Sequence, residues 1–160
     1  MIDTQTLVIR EATPGDLPVV HRITQAAYEQ IRSIIGSHAN VFAETPESLQ
    51  GRISDGWRML LAEIDGVAVG LVRLLPYEGE LYIGRLAVVP DAQHAGVGRA
   101  LVAAAEERGR ELGLPVARLG AYEDVIESRP YYERLGYRAD ERVELRNSPG
   151  RYYWVMRKDL

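Results

Sequence analysis

The spacing of apolar residues along this chain changes several times, and each change marks an element. Leu7-Val8-Ile9-Arg10 is a short run of strand composition. Thr13-Pro14-Gly15-Asp16 follows, with Pro and Asp placed to open a helix, and Leu17, Val20, Ile23, Ala27 and Ile31 keep helical spacing behind it. Residues 33–44 have no clean period and are expected to form a loop. Thr45-Pro46-Glu47-Ser48 is a second helix start, with Thr as cap and Pro at the first helical position.

The middle of the chain then reads as strands. Trp57 to Ile64 is one, Asp65-Gly66 is a strong hairpin signal, and Val67 to Leu75 is its partner, expected to stop at Pro76. Leu81 to Val89 is a third strand, stopped by Pro90. Residues 96–112 have helical composition closed by Gly113. Val116 to Leu119 is a short buried strand, residues 124–135 form a helix closed by Gly136, and two late strands, about 137–146 and 151–158, flank a turn at Asn147-Ser148-Pro149-Gly150. The predicted order is β-α-α-β-β-β-α-β-α-β-β. Strands and helices mix throughout, which predicts an α/β fold with a mixed, largely antiparallel central sheet flanked by helices. Residues 1–160 are expected to form a single domain, since no repeat, low-complexity tract or linker divides them.

Composition narrows the function classes. The 160 residues contain no cysteine, which excludes disulfides, thiolate zinc sites and a cysteine nucleophile. The three histidines, His21, His38 and His94, have no ligand spacing, so no metal is expected. The net charge of -4 argues against nucleic acid as a partner. The N-terminus lacks the basic and apolar regions of a signal peptide, and no apolar run approaches the ~20 residues of a membrane helix. A cytoplasmic protein without a membrane partner is therefore expected.

The informative stretch runs from Leu86 to Leu101. A strand enters a short loop, then Gly96-Val97-Gly98, then a helix. Glycines at such a junction let backbone N–H groups approach a ligand, and the helix N-terminus adds unpaired donors and partial positive charge. That combination suits a phosphate or pyrophosphate, although Gly-x-Gly by itself also fits a tight strand-to-helix turn. Gly-Lys-Ser/Thr is absent, and Leu101 stands where a dinucleotide fingerprint would need its third glycine.

Gln93-His94-Ala95-Gly96-Val97-Gly98 resembles the Gln/Arg-x-x-Gly-x-Gly/Ala motif of the GNAT superfamily of N-acetyltransferases. Arg85-Leu86-Ala87-Val88-Val89-Pro90 looks like that family's fourth strand, and Pro130-Tyr131-Tyr132-Glu133-Arg134-Leu135-Gly136-Tyr137 is similar to its late aromatic-Tyr-Glu-Lys/Arg-Leu-Gly segment. Ile9 to Asp16 resembles its first strand and helix start. The resemblance implies splayed fourth and fifth strands and acetyl-CoA as co-substrate. It implies main-chain contacts from Leu86, Ala87 and Val88, and a pyrophosphate on the loop Gln93, His94, Ala95, Gly96, Val97, Gly98, Arg99 and Ala100. Ser128, Tyr132 and Arg134 would complete the cofactor site. A backbone N–H near Val88 is similar to the family's oxyanion donor. Tyr132 aligns with its general-acid tyrosine, with one tyrosine of the Tyr131-Tyr132 pair expected in the core and the other in the cleft.

Two departures are visible. The family's usual Glu or His before the strand-four alanine is Tyr82 here, so Glu80 relaying through water, Tyr82 orienting that water, and no dedicated base stay open. The Asn common seven residues before the tyrosine is Val125. Residues 28–44, with Tyr28, Arg32, His38 and Phe42, fall where the family's variable acceptor loop lies. The resemblance implies an acetyl transfer to a small-molecule or peptide amine, and often a homodimer; a non-catalytic acyl-CoA-binding regulatory domain is the alternative.

Overall fold

Two tight turns set the register at the centre of the sheet. Asp65-Gly66 and Glu78-Gly79 both have positive φ at both residues (51 and 79°, 51 and 78°). This is the geometry of two-residue hairpins whose twist matches that of the strands. They join β2 (Arg58–Ile64) to β3 (Val67–Tyr77), and β3 to β4 (Glu80–Val88). The computed structural model describes residues 6–160, so the signal-peptide reading of residues 1–5 lies outside the described residues.

β1 (Leu7–Glu11) flanks β2, and β5 (Val116–Tyr122), β6 (Arg138–Glu144) and β7 (Tyr152–Asp159) complete a seven-stranded sheet of order β1-β2-β3-β4-β5-β7-β6. All neighbours are antiparallel except β4 and β5. Strand alternation gives the sheet two apolar faces. Leu60, Val72, Leu74, Leu81 and Ile83 pack under α4 (Val97–Glu111). Met59, Leu61 and Leu71 pack under α1 (Leu17–Glu29) and α3 (Pro46–Ser54), whose Leu17, Val20, Ile23 and Leu49 are buried. Thr45 caps α3 as expected, its hydroxyl accepting from the Ser48 N–H at 3.1 Å.

Four boundaries differ from the sequence expectation. Residues 33–44 include a short helix, α2 (Arg32–Ile35), and a 3-10 turn at Asn40–Ala43. Ile35 and Val41 close with Val125 into a third small core; elements of one turn are too short to show a period. β3 runs through Pro76, because β2 ends opposite Leu74 and no β2 partner needs the missing N–H. β5 continues to Tyr122 against β7. The last helix, α5, is only Ser128–Arg134.

One irregularity shapes the rest. In the β3–β4 pair, Gly84 stands opposite Arg73 and Ala87 opposite Leu71, so Arg85 and Leu86 share the place facing Val72. This is a β-bulge, with Arg85 at φ 50°. The parallel pairing of β4 with β5 is confined to Leu81↔Ala117 and Tyr82↔Arg118. Beyond it the strands part, as the expected splay of the fourth and fifth strands requires. Among the described residues no helix is long and apolar enough to cross a membrane.

A buried polar set joins the two halves of the sheet. Glu106 on α4 is 5% exposed. It accepts from the Tyr137 hydroxyl at 2.7 Å and from Lys158 Nζ at 3.1 Å. Tyr137→Phe removes a hydrogen bond to a buried carboxylate while leaving Lys158 in place. It is expected to cost about 1.5–3 kcal/mol, read as a lower urea midpoint with an unchanged slope.

Candidate active site

The divergence of β4 from β5 opens a cleft of about 1250 Å³, larger than an ordinary single-ligand pocket. One end is built by the loop between β4 and α4. His94 and Gly96 both take left-handed conformations (φ 65 and 86°). The N–H groups of His94, Ala95, Gly96, Val97, Gly98 and Arg99 make no hydrogen bond to any other group among the described residues. Consecutive free amides at a helix N-terminus form a concave anion site. Two expected loop residues contribute differently. The Gln93 N–H is taken by the Pro90 carbonyl (3.3 Å), while its side chain donates to the Val88 carbonyl (2.9 Å) and to Gln30 (2.8 Å), bracing the loop. The Ala100 N–H is spent on the Gly96 carbonyl (3.0 Å), and Ala100 does not line the cleft.

Gly98 has a steric reason to be glycine. A Cβ there would lie 2.8 Å from the Tyr131 hydroxyl. Tyr131 thus reaches over the loop, and it lines the cleft as Tyr132 does. Both tyrosines therefore line the cleft, and Tyr132 is the one that also packs against the main core; neighbouring positions on a helix lie only ~100° apart, so core contact and cleft lining are not exclusive. Burial pushes the Tyr131 phenol above its ordinary pKa, opposed by the charges of Arg134 and Arg99. Ser128 and Arg134 also line this part.

At the centre, Leu86, Ala87 and Val88 line the cleft. The Val89 N–H donates to Val69 on β3 at 2.9 Å. Alternation along the strand sends the Val88 N–H to the opposite edge, where β5 has moved away. Tyr132 packs edge-on against Tyr131 (5.1 Å between ring centres) and Tyr137 (6.2 Å). Burial raises its pKa far above that of a free phenol, and proximity to Tyr28 adds to this, so it stays protonated.

Of the base candidates, Tyr82 lines the cleft, its ring edge-on to Trp57 at 5.6 Å. Glu80 is not among the lining residues; its carboxylate accepts from Arg157 Nε at 2.9 Å. The buried carboxylate that does enter the cleft is Glu44, which carried no role in the sequence reading. Its side chain is only 9% exposed and takes both Nη atoms of Arg73, at 2.8 and 2.7 Å, and Arg85 Nε at 3.3 Å. Burial pushes the Glu44 carboxyl up, but the hydrogen bonds and charge of Arg73 and Arg85 outweigh it and hold the acid below its ordinary pKa. Tyr28 on α1 faces the same cluster, with the Arg85 guanidinium 5.9 Å from its ring centre. The available signal was Arg73 itself, a charge inside the apolar run Val67 to Leu75, which cannot be buried without a partner. Among the described residues no group of His, Asp and Glu is assembled to hold a metal ion.

Comparison with known proteins gives a consistent result. The sequence model of the Acetyltransferase (GNAT) family matches residues 20–137. No curated protein matches the sequence. Among solved structures, the fold is similar to the PaiA N-acetyltransferase of Thermoplasma acidophilum in complex with coenzyme A (TM-score 0.81, 18% identity, 96% of this chain and 99% of that one). It is similar to a GCN5-related N-acetyltransferase of Rhodopseudomonas palustris (TM-score 0.79, 25% identity, 100% and 98% covered). It is also similar to the ribosomal-protein-alanine N-acetyltransferase of Brucella melitensis (TM-score 0.75, 25% identity, 96% and 99% covered).

Removing Glu44 strands two guanidiniums. Glu44→Ala is expected to cost about 3–5 kcal/mol, as for a broken buried ion pair, and Glu44→Gln less. Because the folded pKa lies below the unfolded one, the Glu44 contribution is full above the ordinary carboxylate range, ~4.3, and is lost as pH falls through the folded value. Thermal melts from pH 7 down to 3 should therefore show a smaller acid-side loss in Glu44→Gln than in the parent.

Proposed function

This chain belongs to the GNAT family of acetyltransferases, and from that membership we propose that it moves an acetyl group from acetyl-CoA to a primary amine by direct attack in a ternary complex. The observation that carries the reading is the parting of β4 from β5 over a floor of free amides, with Tyr132 in the gap. Residues 1–160 are read as one domain devoted to this reaction.

The residues fit the co-substrate. The N–H groups of His94 to Arg99 suit a pyrophosphate, and Arg99 and Arg134, both lining the cleft, add positive charge. The free edge of β4 at Leu86, Ala87 and Val88 suits the amides of a pantetheine arm, which would extend β4 where β5 is missing. Ser128 stands at the wall beside that arm. The solved complex of the Thermoplasma protein with coenzyme A supports the same assignment by analogy of fold.

The chemistry follows from where donors stand. The amine lone pair attacks the thioester carbonyl carbon, and the Val88 N–H hydrogen-bonds the oxyanion that forms. As the C–S bond breaks, the sulfur takes the Tyr132 proton, and the phenolate is reprotonated from solvent. A phenol suits this task because it stays protonated at neutral pH, the more so when buried, and can hand its proton to the thiolate as it departs. The nitrogen must lose a proton as well. Glu44 is a poor base, committed to two guanidiniums. Glu127, the other acid lining the cleft, is exposed at the start of α5. We therefore assign the proton to water in the open cleft, with Tyr82 as a residue that orients it, and take the amine to enter unprotonated.

Release of free thiol from acetyl-CoA in the presence of a panel of amines tests the reading directly. Tyr132→Phe should lower kcat by about 10²-fold or more, with acetyl-CoA affinity by calorimetry changed little. Tight binding of acetyl-CoA with no thiol release from any amine would favour the regulatory alternative. A second test concerns pH. If the amine arrives neutral and no side chain takes its proton, kcat/KM rises with pH until the acceptor's own pKa is passed. Two acceptors whose pKa values differ should give profiles displaced by that difference; one fixed profile for both would point to a base on the enzyme.

A further inference from the structure

The acceptor side of the cleft is strongly cationic in a protein of net charge -4. Its walls carry Arg52, Arg73, Arg85 and Arg118, and Glu44 is the carboxylate among them. Arg73 and Arg85 share that one acid. Arg52 and Arg118 have no acidic partner among the described residues. Arg118 is the more telling of the two because it is half-buried, whereas Arg52 is exposed at the rim. Its guanidinium lies 5.5 Å from the centre of the Tyr82 ring. Two acids nearby in the sheet, Glu80 and Asp140, are both ion-paired with Arg157, its cross-strand neighbour on β7, and Glu141, which like Arg118 acts on Tyr153, makes no ion pair with Arg118. A half-buried guanidinium facing a cleft without a counter-charge is costly, and a planar anion that accepts from it relieves that cost.

Position adds a length. Arg118 stands beside Tyr82 in the β4–β5 pair, and Ala87 is five residues further along β4, one of them absorbed in the bulge. At ~3.3 Å per residue the charge lies on the order of 10 Å from the acyl position. The floor between them is shallow: Gly84 and Gly120 carry no side chain, and Trp57, Tyr82 and Tyr153 border it with ring surface.

Resting on the transfer reading above, we propose that the acceptor is an extended amine bearing a carboxylate at its far end, with Arg118 as the residue that binds the carboxylate and Arg52 as a second charge at the rim. The amine end enters between Tyr28 and Tyr132, and the connecting chain lies over Gly84 against Tyr82 and Trp57. Polyamines and basic peptides are disfavoured, since four guanidiniums against one acid repel a second cation.

The test uses ω-amino acids as a ruler. 4-Aminobutanoate, 6-aminohexanoate and 8-aminooctanoate are compared with their carboxamides, Ala-Ala-Glu with Ala-Ala-Gln (both C-terminally amidated), and spermidine serves as the cationic member. The longer acids should exceed their amides in kcat/KM by about tenfold or more, with 4-aminobutanoate too short to gain. Arg118→Gln should close the acid-to-amide gap through the acid's KM, with acetyl-CoA affinity by calorimetry retained as the check on folding; Arg118→Lys should keep part of it. A preference seen only in the peptide pair assigns the carboxylate to a peptide rather than a small molecule. Equal use of acids and amides, preference for spermidine, or a gap that survives Arg118→Gln overturns the inference while the transfer reading stands. Failure to bind acetyl-CoA, or binding without turnover of any member, overturns both.

Discussion

The bulge at Arg85 is the constraint on which the cleft depends. One extra residue in β4 bends the strand just past Tyr82↔Arg118, where its pairing with β5 ends. A non-glycine residue at φ 50° is unfavourable by roughly 1–2 kcal/mol, so something must hold it. That is the role of the Glu44 cluster. The carboxylate ties Arg85 of the bulge to Arg73, which stands opposite Gly84 in the regular part of β3. The strained position is thereby anchored to an unstrained one. The same bulge frees the Val88 edge of β4, and the hairpin at Glu78-Gly79 fixes where along β3 it falls.

The two ends of the cleft use different sources of positive potential, and this separates their ligands. The loop from His94 to Arg99 offers backbone N–H groups, whose orientation is fixed by the left-handed residues and by the start of α4. Such donors select compact, highly charged oxyanions and are insensitive to pH. The acceptor end offers guanidiniums on side chains, one pair neutralised in part by Glu44 and the others not. Between them stand Tyr28, Tyr131 and Tyr132, whose phenols are raised by burial. A neutral, donor-rich midsection keeps the two charged ends from competing for one ligand and suits the proposed meeting of a neutral amine with a thioester.

Much of this was legible in the sequence, and the division has a physical cause. Turns, caps and the glycine loop are local: Asp65-Gly66, Thr45-Pro46 and Gly96-Val97-Gly98 state their conformations within a few residues, and they fixed the element order and the phosphate end of the cleft. Tyr132 was legible through its segment. The Glu44 cluster was not, because its members are 29 and 41 residues apart and meet only through the sheet. Apolar period says which face is buried, never which charge will find which. The same limit explains Glu80. On the strand it shares a face with Tyr82, as alternation requires, but Arg157, 77 residues away, holds its carboxylate. Tyr131 escaped for a different reason: Tyr132 packs against the core and lines the cleft at once, so a core-or-cleft choice is not forced and its neighbour can line the cleft too.

The segment that showed no period, residues 33–44, links the bulge to the packing around α5. It supplies Glu44 to the bulge clamp and is pinned by the small core of Ile35, Val41 and Val125, against which Tyr28 of α1 also packs. Val125 lies just ahead of α5, the helix that carries Tyr132. A change in this segment that alters acceptor fit must therefore also act on Arg85, through Glu44, and on α5, through Val125. Substitutions at such positions are not expected to add independently, since residues sharing one network couple by ~0.5–3 kcal/mol. Acceptor choice and acyl-site geometry are thus properties of one packed unit. The exposed rim, where Arg52 stands, is where specificity can change without disturbing the bulge.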